Sequence, residues 1–303
     1  WDFAERIFFF AGDRPSEWLR KSVLCLALLG LIGSVSYILN RAVIEPTAES
    51  NYTQQLLDFK ELAKQGILTE KAKAFKDFPE GITNDLMNAY AENQDLRGWI
   101  TYLPVDIDLP IVQAKDNDYY LDHNFQKVRS KTGAVFFDYR TPDLKNGFPK
   151  NLIVYGHNLS SGLIFSHLNY FIGTPDYMAN TGLRYIRNAP LITIQSLYEK
   201  AYYKVFAVCV FSADGVQMGD ELNYVRFSFA SNAEFMDFVE QLRARSVYTF
   251  GDVTVDENDC LLMLSTCSYP KKVGFEDSRL VVVARKVRDG ESTRVDTSKT
   301  VYN

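Results

Sequence analysis

Apolar residues follow three different patterns along this chain. Residues 22–39 form an apolar run that contains no charged side chain, a composition typical of a membrane-spanning helix near the short end of the usual length. Residues 47–95 repeat apolar side chains at helical spacing among polar ones. From residue 98 onward, short runs of β-branched and aromatic residues are separated by turn residues. The pattern therefore predicts an apolar helix, a helical segment and a β-rich domain, in that order.

The apolar run is predicted to be an uncleaved membrane anchor. More basic residues precede it than follow it closely, and basic residues stay on the cytosolic side of a membrane. We therefore expect residues 1–21 to be a cytosolic segment, residues 22–40 a transmembrane signal-anchor, and everything beyond to lie outside the cell membrane. A cleaved signal peptide and the buried core helix of a soluble protein are the alternatives. The basic residues are Arg14, Arg20 and Lys21 before the run and Arg41 after it.

Residues 41–95 are interpreted as a helical stalk or N-terminal extension. A first helix is predicted to end near Gly66, because glycine commonly follows the last turn of a helix. A second, shorter helix is predicted over residues 83–91, with Thr83 as its N-cap. The pattern leaves open whether this segment packs on the domain that follows.

The fold class predicted for residues 96–288 is mostly β. Many short strands at such intervals are typical of a closed barrel or a sandwich, not of a parallel α/β sheet. Two helical inserts are predicted, over residues 161–171 and 231–246, the second with a capping box formed by Ser231 and Glu234. Residues 289–303 are predicted to be a polar, frayed tail. The predicted strands are 98–103, 109–114, 134–139, 151–156, 183–187, 191–197, 202–211, 224–229, 260–265 and 279–287.

Composition excludes several classes of function. The net charge is −5, and a nucleic-acid binder would carry a basic stripe. The four cysteines contain no CxxC pair, and the three histidines have no metal-like spacing. We therefore expect no structural zinc, no cofactor and no disulfide framework. A single bridge between Cys209 and Cys260 stays open as an alternative.

Three residues at predicted strand ends carry the candidate chemistry. Cys267 ends an apolar strand, and a catalytic thiol needs a base or a cation nearby because the thiolate is the nucleophile. His157 ends another strand, and imidazole can exchange a proton with a thiol and later protonate a leaving amine. Arg279 opens the strand after Cys267, where a guanidinium can bind a substrate backbone and stabilise an oxyanion.

Each of these residues also has a structural interpretation. A cysteine in a strand commonly packs as a small apolar residue, and histidines or arginines near loops are commonly solvated. His123 and His167 are the rival histidines. His167 is predicted to lie in the amphipathic insert as a packing or surface residue, and His123 in a loop or at a helix end. Only the joint position of Cys267, His157 and Arg279 at strand ends favours catalysis.

Three motifs, in this order, resemble those of the sortase family. "YGHN" resembles the histidine segment, "LSTCSY" resembles the TLxTC signature, and "FEDSRLVVVARK" resembles the strand that carries the arginine. The similarity extends from about residue 96 to 288 and is closest to class B sortases, in which a helix is inserted before the cysteine strand. The resemblance implies a closed sortase-type β-barrel.

The resemblance also implies an activity. Cys267 would cleave a C-terminal sorting signal through a thioacyl-enzyme, with His157 as general acid and base and Arg279 stabilising the oxyanion. An amino nucleophile, either a cell-wall precursor or a pilin lysine, would then accept the surface or pilin protein. The alternatives are a thiol hydrolase without transfer and a non-catalytic surface binding module.

Substrate-binding residues follow from the same resemblance. They are Asn117 and Leu121, which match the groove of class B enzymes; Tyr224 and Val225, ahead of the inserted helix; Ser265 and Ser268, beside the nucleophile; and Thr266, at the oxyanion site. The spacing between His157 and Cys267 is long for the class, which predicts extended loops around 171–182 or 212–222. No compact acidic cluster requires calcium.

Overall fold

The computed structural model describes residues 7–10, 12–212, 222–268 and 278–303. Its contacts divide the chain into two units, Trp1–Asn51 and Tyr52–Asn303. The first unit contains helix α1 (Pro15–Leu39), which continues through a π-helical turn at Asn40–Ile44. This helix is long and apolar enough to cross a membrane, by length and composition.

The second unit begins within helix α2 and holds every described strand. Its helices are α2 (Glu45–Lys64, which crosses the boundary), α3 (Glu70–Ala74), α4 (Met87–Glu92), α5 (Pro175–Tyr177), α6 (Leu183–Asn188) and α7 (Asn232–Arg245). Its strands are β1 (Leu96–Tyr102), β2 (Ile107–Val112), β3 (Val135–Phe137), β4 (Asn151–Tyr155), β5 (Leu191–Ser196), β6 (Lys200–Ser212), β7 (Tyr248–Phe250), β8 (Leu261–Ser268), β9 (Ser278–Lys286) and β10 (Thr300–Tyr302).

Eight of the strands close into a barrel in the order β1-β2-β3-β4-β8-β9-β6-β5. Most neighbours are antiparallel, but β2 pairs with β3 and β4 pairs with β8 in parallel. Parallel neighbours cannot be joined by a tight hairpin, and long connections therefore link them. The predicted closed, mostly β barrel is confirmed, and the parallel pair β4–β8 brings two of the candidate strand ends to the same edge.

The barrel strands bury side chains on both faces. One core cluster fills the barrel interior with aliphatic residues such as Ile100, Val154 and Leu264. A second lies between the barrel wall and α7, whose buried stripe is Phe235, Phe238, Val239 and Leu242. Helix α7 begins as predicted, with the Ser231 hydroxyl accepting a hydrogen bond from the Glu234 amide.

The second half of α2 packs on the barrel wall. Leu56 joins a third cluster that includes Leu96 and Trp99 of β1. The Lys60 ammonium lies 4.3 Å from the centre of the Trp99 ring and 3.4 Å from a carboxylate oxygen of Asp108. These contacts answer the open question about the helical segment: from Tyr52 onward it packs on the barrel as part of the second unit.

Two predicted strands are wrong. Residues 183–187 lie in helix α6, because Leu183 and Ile186 are also spaced for one face of a helix and a short apolar run does not distinguish the two. Residues 224–229 form no strand; Tyr224 is buried, and Val225, Phe227 and Phe229 pack against the cluster under α7. The local pattern correctly predicted that these apolar residues are buried, but it predicted the wrong secondary structure for them.

The C-terminal residues are polar but not frayed, so that expectation is also wrong. Strand β10 pairs antiparallel with β7. Glu291 accepts hydrogen bonds from Lys204 and from the buried Arg285. The predicted insert at 161–171 is a 3₁₀ helix over Ser166–Phe171. Of the two loops proposed to be extended, residues 213–221 lie outside the described residues.

The bridge between Cys209 and Cys260 that the sequence leaves open as an alternative is not formed, because both cysteines are free thiols. Cys209 is fully buried, and its thiol donates a hydrogen bond to the Leu242 carbonyl of α7. Burial raises the pKa of the Cys209 thiol to about 12. It is a packing residue of the cluster between the barrel and α7.

Candidate active site

Cys267 and Arg279 face each other across two neighbouring strands. In the antiparallel pair formed by β8 and β9, Cys267 is directly opposite Arg279. Side chains at directly opposed positions lie on the same face of a sheet, with their Cβ atoms about 4.5–5.5 Å apart. The two residues therefore occupy the neighbouring strand positions that their spacing predicted, and both side chains leave the sheet on the same face.

His157 reaches the same place from the other side of β8. The parallel ladder between β4 and β8 pairs Tyr155 with Ser265, and the Gly156 amide continues it with a hydrogen bond to the Ser265 carbonyl. Both His157 and Cys267 stand two residues beyond that last pair. Because parallel strands advance together, the imidazole and the thiol leave the sheet at the same edge.

A folded-back loop holds the histidine. The amide of Phe165 donates to the His157 carbonyl at 3.0 Å. Gly156 allows this approach, since a Cβ atom there would lie 2.8 Å from the Phe165 ring. The Asn158 side-chain amide donates to the Cys267 carbonyl at 2.9 Å. The loop that follows the histidine is thereby tied to the strand end that carries the cysteine.

The imidazole of His157 has a defined partner on one nitrogen. Its Nε2 atom lies 2.6 Å from the Leu121 carbonyl oxygen. A carbonyl oxygen can only accept, so Nε2 carries the proton in this contact. The other nitrogen, Nδ1, is then the atom left to accept a proton from a thiol or to donate one to a leaving group.

These three residues line a common cleft of about 540 Å³. The cleft opens at the edge of the barrel where β4 and β8 end, and its walls combine apolar and polar side chains. The residues that line it are Asn117, Asp118, Leu121, Phe136, Tyr155, Gly156, His157, Tyr224, Ser265, Thr266, Cys267 and Arg279.

Buried hydroxyl groups line the floor of this cleft. The Tyr224 and Ser265 hydroxyls lie 2.9 Å apart. Burial raises the pKa of the Tyr224 phenol, against the opposing effects of Ser265 and the Arg279 charge, so the phenol stays neutral. The Thr266 hydroxyl, on a residue 2% exposed, has no hydrogen-bond partner within the described part of the chain. The floor can therefore offer hydrogen bonds without adding charge.

Five of the seven expected substrate-binding residues line the cleft, and one of the other two, Val225, does not. Val225 packs against the core cluster under α7. Ser268 ends β8 opposite Ser278, and its side chain lies outside what the structure describes. The five that line it are Asn117, Leu121, Tyr224, Ser265 and Thr266.

The rival histidines have partners elsewhere. His123 stacks on Tyr119 with ring centres 4.2 Å apart. His167 stacks on Tyr170, and its Nδ1 atom lies 3.2 Å from the Asp106 carboxylate. Across the described ranges, no group of three or more His, Cys, Asp or Glu side chains has a geometry suited to a metal ion.

Two groups that shape the cleft are not among the residues predicted from the sequence. Tyr155 and Phe136 form one wall, with ring centres 5.4 Å apart. Behind that wall lies Asp138, a fully buried carboxylate that bonds to both Asn117 and Tyr155. The sequence did hold a signal for Asp138, because this charged residue directly follows the apolar run "AVFF". An acidic side chain that a buried strand carries inward is seldom left without a hydrogen-bonding partner.

Comparisons with known proteins give one consistent result. The family model described as "Sortase domain" matches residues 104–287. Sortase B of Listeria monocytogenes is 29% identical over 239 residues, which are 79% of this chain and 87% of that protein. The X-ray structure of Clostridium perfringens sortase B is 27% identical and superposes with a TM-score of 0.56 over 66% of this chain and 98% of that one.

A more distant structure supports the fold. The Staphylococcus aureus sortase B–substrate complex superposes with a TM-score of 0.63, covering 81% of this chain and 99% of that one. Because the two sequences are only 22% identical, this superposition supports the barrel fold alone.

Proposed function

Because this chain belongs to the sortase family of cysteine transpeptidases and is most similar to class B sortases, we propose that it is a membrane-anchored enzyme acting on sorting signals. It cleaves a C-terminal sorting signal through a thioacyl-enzyme and transfers the protein to an amino nucleophile. That nucleophile is a cell-wall precursor or a pilin lysine.

One observation carries the assignment of the site. Cys267, His157 and Arg279 come from three separate segments and line one cleft at a single edge of the barrel. A thiol, a proton-transfer group and a permanent cation are the groups that acyl transfer through a thioester requires. We assign Cys267 as nucleophile, His157 as general acid and base, and Arg279 as the group that binds the substrate backbone and stabilises the oxyanion.

In the acylation step, the Cys267 thiolate attacks the carbonyl carbon of the scissile amide and a tetrahedral oxyanion forms. Arg279 and nearby hydrogen-bond donors stabilise that charge in the cleft, away from bulk water. The C–N bond then breaks, and protonated His157 gives its proton to the leaving amine. The products are a thioester on Cys267 and the released C-terminal peptide.

In the second step, the incoming amine attacks the thioester carbonyl. His157 takes the proton that the amine loses as the new amide bond forms. The C–S bond breaks, and the Cys267 thiolate leaves, ready for another cycle. The contact between His157 Nε2 and the Leu121 carbonyl holds the ring in one orientation for both proton transfers.

Membrane anchoring is part of the same proposal. Helix α1 has the length and composition to span a bilayer, and the basic residues before it favour a cytosolic N-terminus. The barrel then lies on the outer face of the cell membrane, where sorting-signal proteins and their acceptors meet.

The test is mass spectrometry of the full chain in detergent micelles, incubated with a panel of sorting-signal peptides and candidate amines. A thioester adduct on Cys267 and a ligated amide product support the proposal. If the peptide is hydrolysed and added oligoglycine or diamino nucleophiles produce no ligated amide, the enzyme is a thiol hydrolase. Absence of any adduct, together with slow labelling of Cys267 by a thiol probe, would identify a binding module.

Two variants complete the experiment. Cys267→Ala should abolish the adduct and reduce turnover by at least three orders of magnitude, because the chemistry cannot proceed without its nucleophile. Cys260→Ala is the matched control, since it removes a thiol just before the other end of β8. An unchanged turnover rate in Cys267→Ala would overturn the mechanism.

A further inference from the structure

Asp138 is a fully buried carboxylate directly behind the wall of the cleft. It follows β3, and its amide bonds to the Ile153 carbonyl of β4 at 3.2 Å. A buried charge is costly unless hydrogen bonds and an opposite charge compensate it. Its partners therefore indicate what it stabilises.

Both carboxylate oxygens are fully engaged. Oδ1 accepts from the Arg140 amide at 3.0 Å and from Arg140 Nε at 2.8 Å. Oδ2 accepts from Arg140 Nη2 at 2.8 Å, from Asn117 Nδ2 at 2.9 Å and from the Tyr155 hydroxyl at 3.0 Å. One guanidinium neutralises the charge, and the two remaining donors both belong to residues that line the cleft.

This arrangement determines the orientation of the Asn117 amide. Its nitrogen donates to Asp138, while its oxygen accepts from the Tyr139 backbone amide at 2.9 Å. Rotating the amide by half a turn would set its oxygen against a carboxylate and its nitrogen against another donor. Asn117 therefore has one proton and one lone pair left, which suits it to pair with an amide group of a bound peptide.

The Asp138 carboxylate also contacts two other parts of the cleft, one directly through Tyr155 and one through Arg140. Tyr155 precedes His157 by two residues, and its ring lines the cleft against Phe136. The Arg140 guanidinium lies 4.6 Å from the centre of the Phe227 ring, in the segment that also carries Tyr224. Asp138 thus links the loop after β2, the end of β4 and the segment before α7.

We propose that Asp138 is a positioning residue for recognition of the sorting signal, acting through the orientation of Asn117 and Tyr155. The proposal rests on the proposed function, because it concerns the binding step of that reaction. Asp138 lies behind the wall and does not touch the reacting atoms.

The carboxylate remains charged at neutral pH. Burial alone would raise the pKa of Asp138, but the hydrogen bonds from Arg140 and Asn117 outweigh it and leave that pKa below its ordinary value. Asp138→Asn would therefore replace a carboxylate, which only accepts hydrogen bonds, by an amide. The amide nitrogen is itself a donor and would face the donors that now bind the carboxylate. Arg140 is half-exposed, so water can solvate its charge in that variant.

The experiment measures kcat and KM of the full chain with the sorting-signal peptide that the wild type processes best. Asp138→Asn is expected to raise KM at least about tenfold and to change kcat by less than about threefold. The rate at which iodoacetamide alkylates Cys267 should be unchanged. Asp143→Asn is the matched control, because it alters an exposed carboxylate on the following loop that does not line the cleft.

A double variant separates positioning from general destabilisation. If Asp138 acts mainly through Asn117, adding Asp138→Asn to Asn117→Ala should raise KM less than about threefold further. Should Asp138→Asn fold poorly, Arg140→Gln disturbs the same carboxylate from its exposed side and should raise KM in the same direction.

The outcomes distinguish this inference from the function on which it rests. A wild type that forms no thioester with any peptide overturns both. A wild type that forms it, with KM in Asp138→Asn within twofold of normal, overturns the positioning role alone. Fully additive effects of Asp138→Asn with Asn117→Ala and also with Tyr155→Phe would overturn it as well, because they would show that Asp138 acts through neither residue.

Discussion

Gly133 is the position where one added methyl group should disable the histidine without touching it chemically. It has φ of +62°, in the left-handed region. A Cβ atom at this residue would lie 2.9 Å from both His157 Cδ2 and the Leu121 carbonyl oxygen, and 2.7 Å from the Tyr120 carbonyl oxygen. Glycine is required here for both its conformation and its lack of a side chain.

The size of the effect follows from these distances. Ordinary contact begins at 3.4 Å, so the Leu121 carbonyl oxygen and the imidazole must each move by about half an ångström. These are the two groups joined by the hydrogen bond at His157 Nε2. Because a misplacement of about 1 Å can cost roughly 100-fold in rate, we expect Gly133→Ala to lower kcat/KM by about tenfold or more.

Stability should fall as well, but by an amount that a control can remove. Alanine in the left-handed region costs about 1–2 kcal/mol. Gly66 has a similar φ of +77° with nothing within 4 Å of the added Cβ. Gly66→Ala therefore incurs the conformational strain alone and should keep the wild-type kcat/KM.

The assay compares kcat/KM and the free energy of unfolding for the two variants and the wild type. The fraction of active enzyme is first titrated through alkylation of Cys267. If Gly133→Ala, corrected for its active fraction, matched Gly66→Ala in kcat/KM, the crowding of His157 would not matter, and the reasoning would be refuted.

Two further predictions concern groups away from the cleft. Hydrogen bonds from the buried Arg285 lower the pKa of Glu291, although partial burial opposes them. The ionised Glu291 therefore stabilises the folded state above its unfolded-state pKa of about 4.3, and this stabilisation is lost as the pH falls further. Glu291→Gln should reduce the free energy of unfolding by about 3 kcal/mol at pH 7 and by clearly less at pH 3 in denaturant titrations; an equal loss at both would contradict this. The buried Cys209 thiol, with its pKa raised to about 12, should resist alkylation at pH 7.5 in the folded protein while Cys267 is labelled, as peptide mapping would show; equal labelling would contradict its burial.

Local patterns predicted much of the architecture because each depends on neighbouring residues alone. Helix α7 could be predicted from the capping pair Ser231 and Glu234 and from an apolar stripe at helical spacing. Strand β8, which carries Cys267 next to its last residue, could be predicted from its apolar run. Residues 183–187 and 224–229 could not, because the apolar patterns there suit more than one structure, and burial partners distant in sequence decide between them.

The candidate site divides in the same way. The residue types alone specify the chemistry available: a thiol, an imidazole and a guanidinium, each at the end or start of an apolar strand. Their grouping in one cleft needed the tertiary structure, since it depends on a parallel pairing between β4 and β8, which are more than 100 residues apart. Strand pairing over such a distance depends on the closure of the whole barrel and leaves no local signature.

The support behind the cleft was decided by the tertiary structure alone. Asp138 meets Asn117 and Tyr155 only because β3 lies beside both β2 and β4, and Gly133 is needed only because His157 lies against it. A side chain's type sets which bonds it can form. Which of those bonds form depends on the packing that brings distant segments within hydrogen-bonding distance.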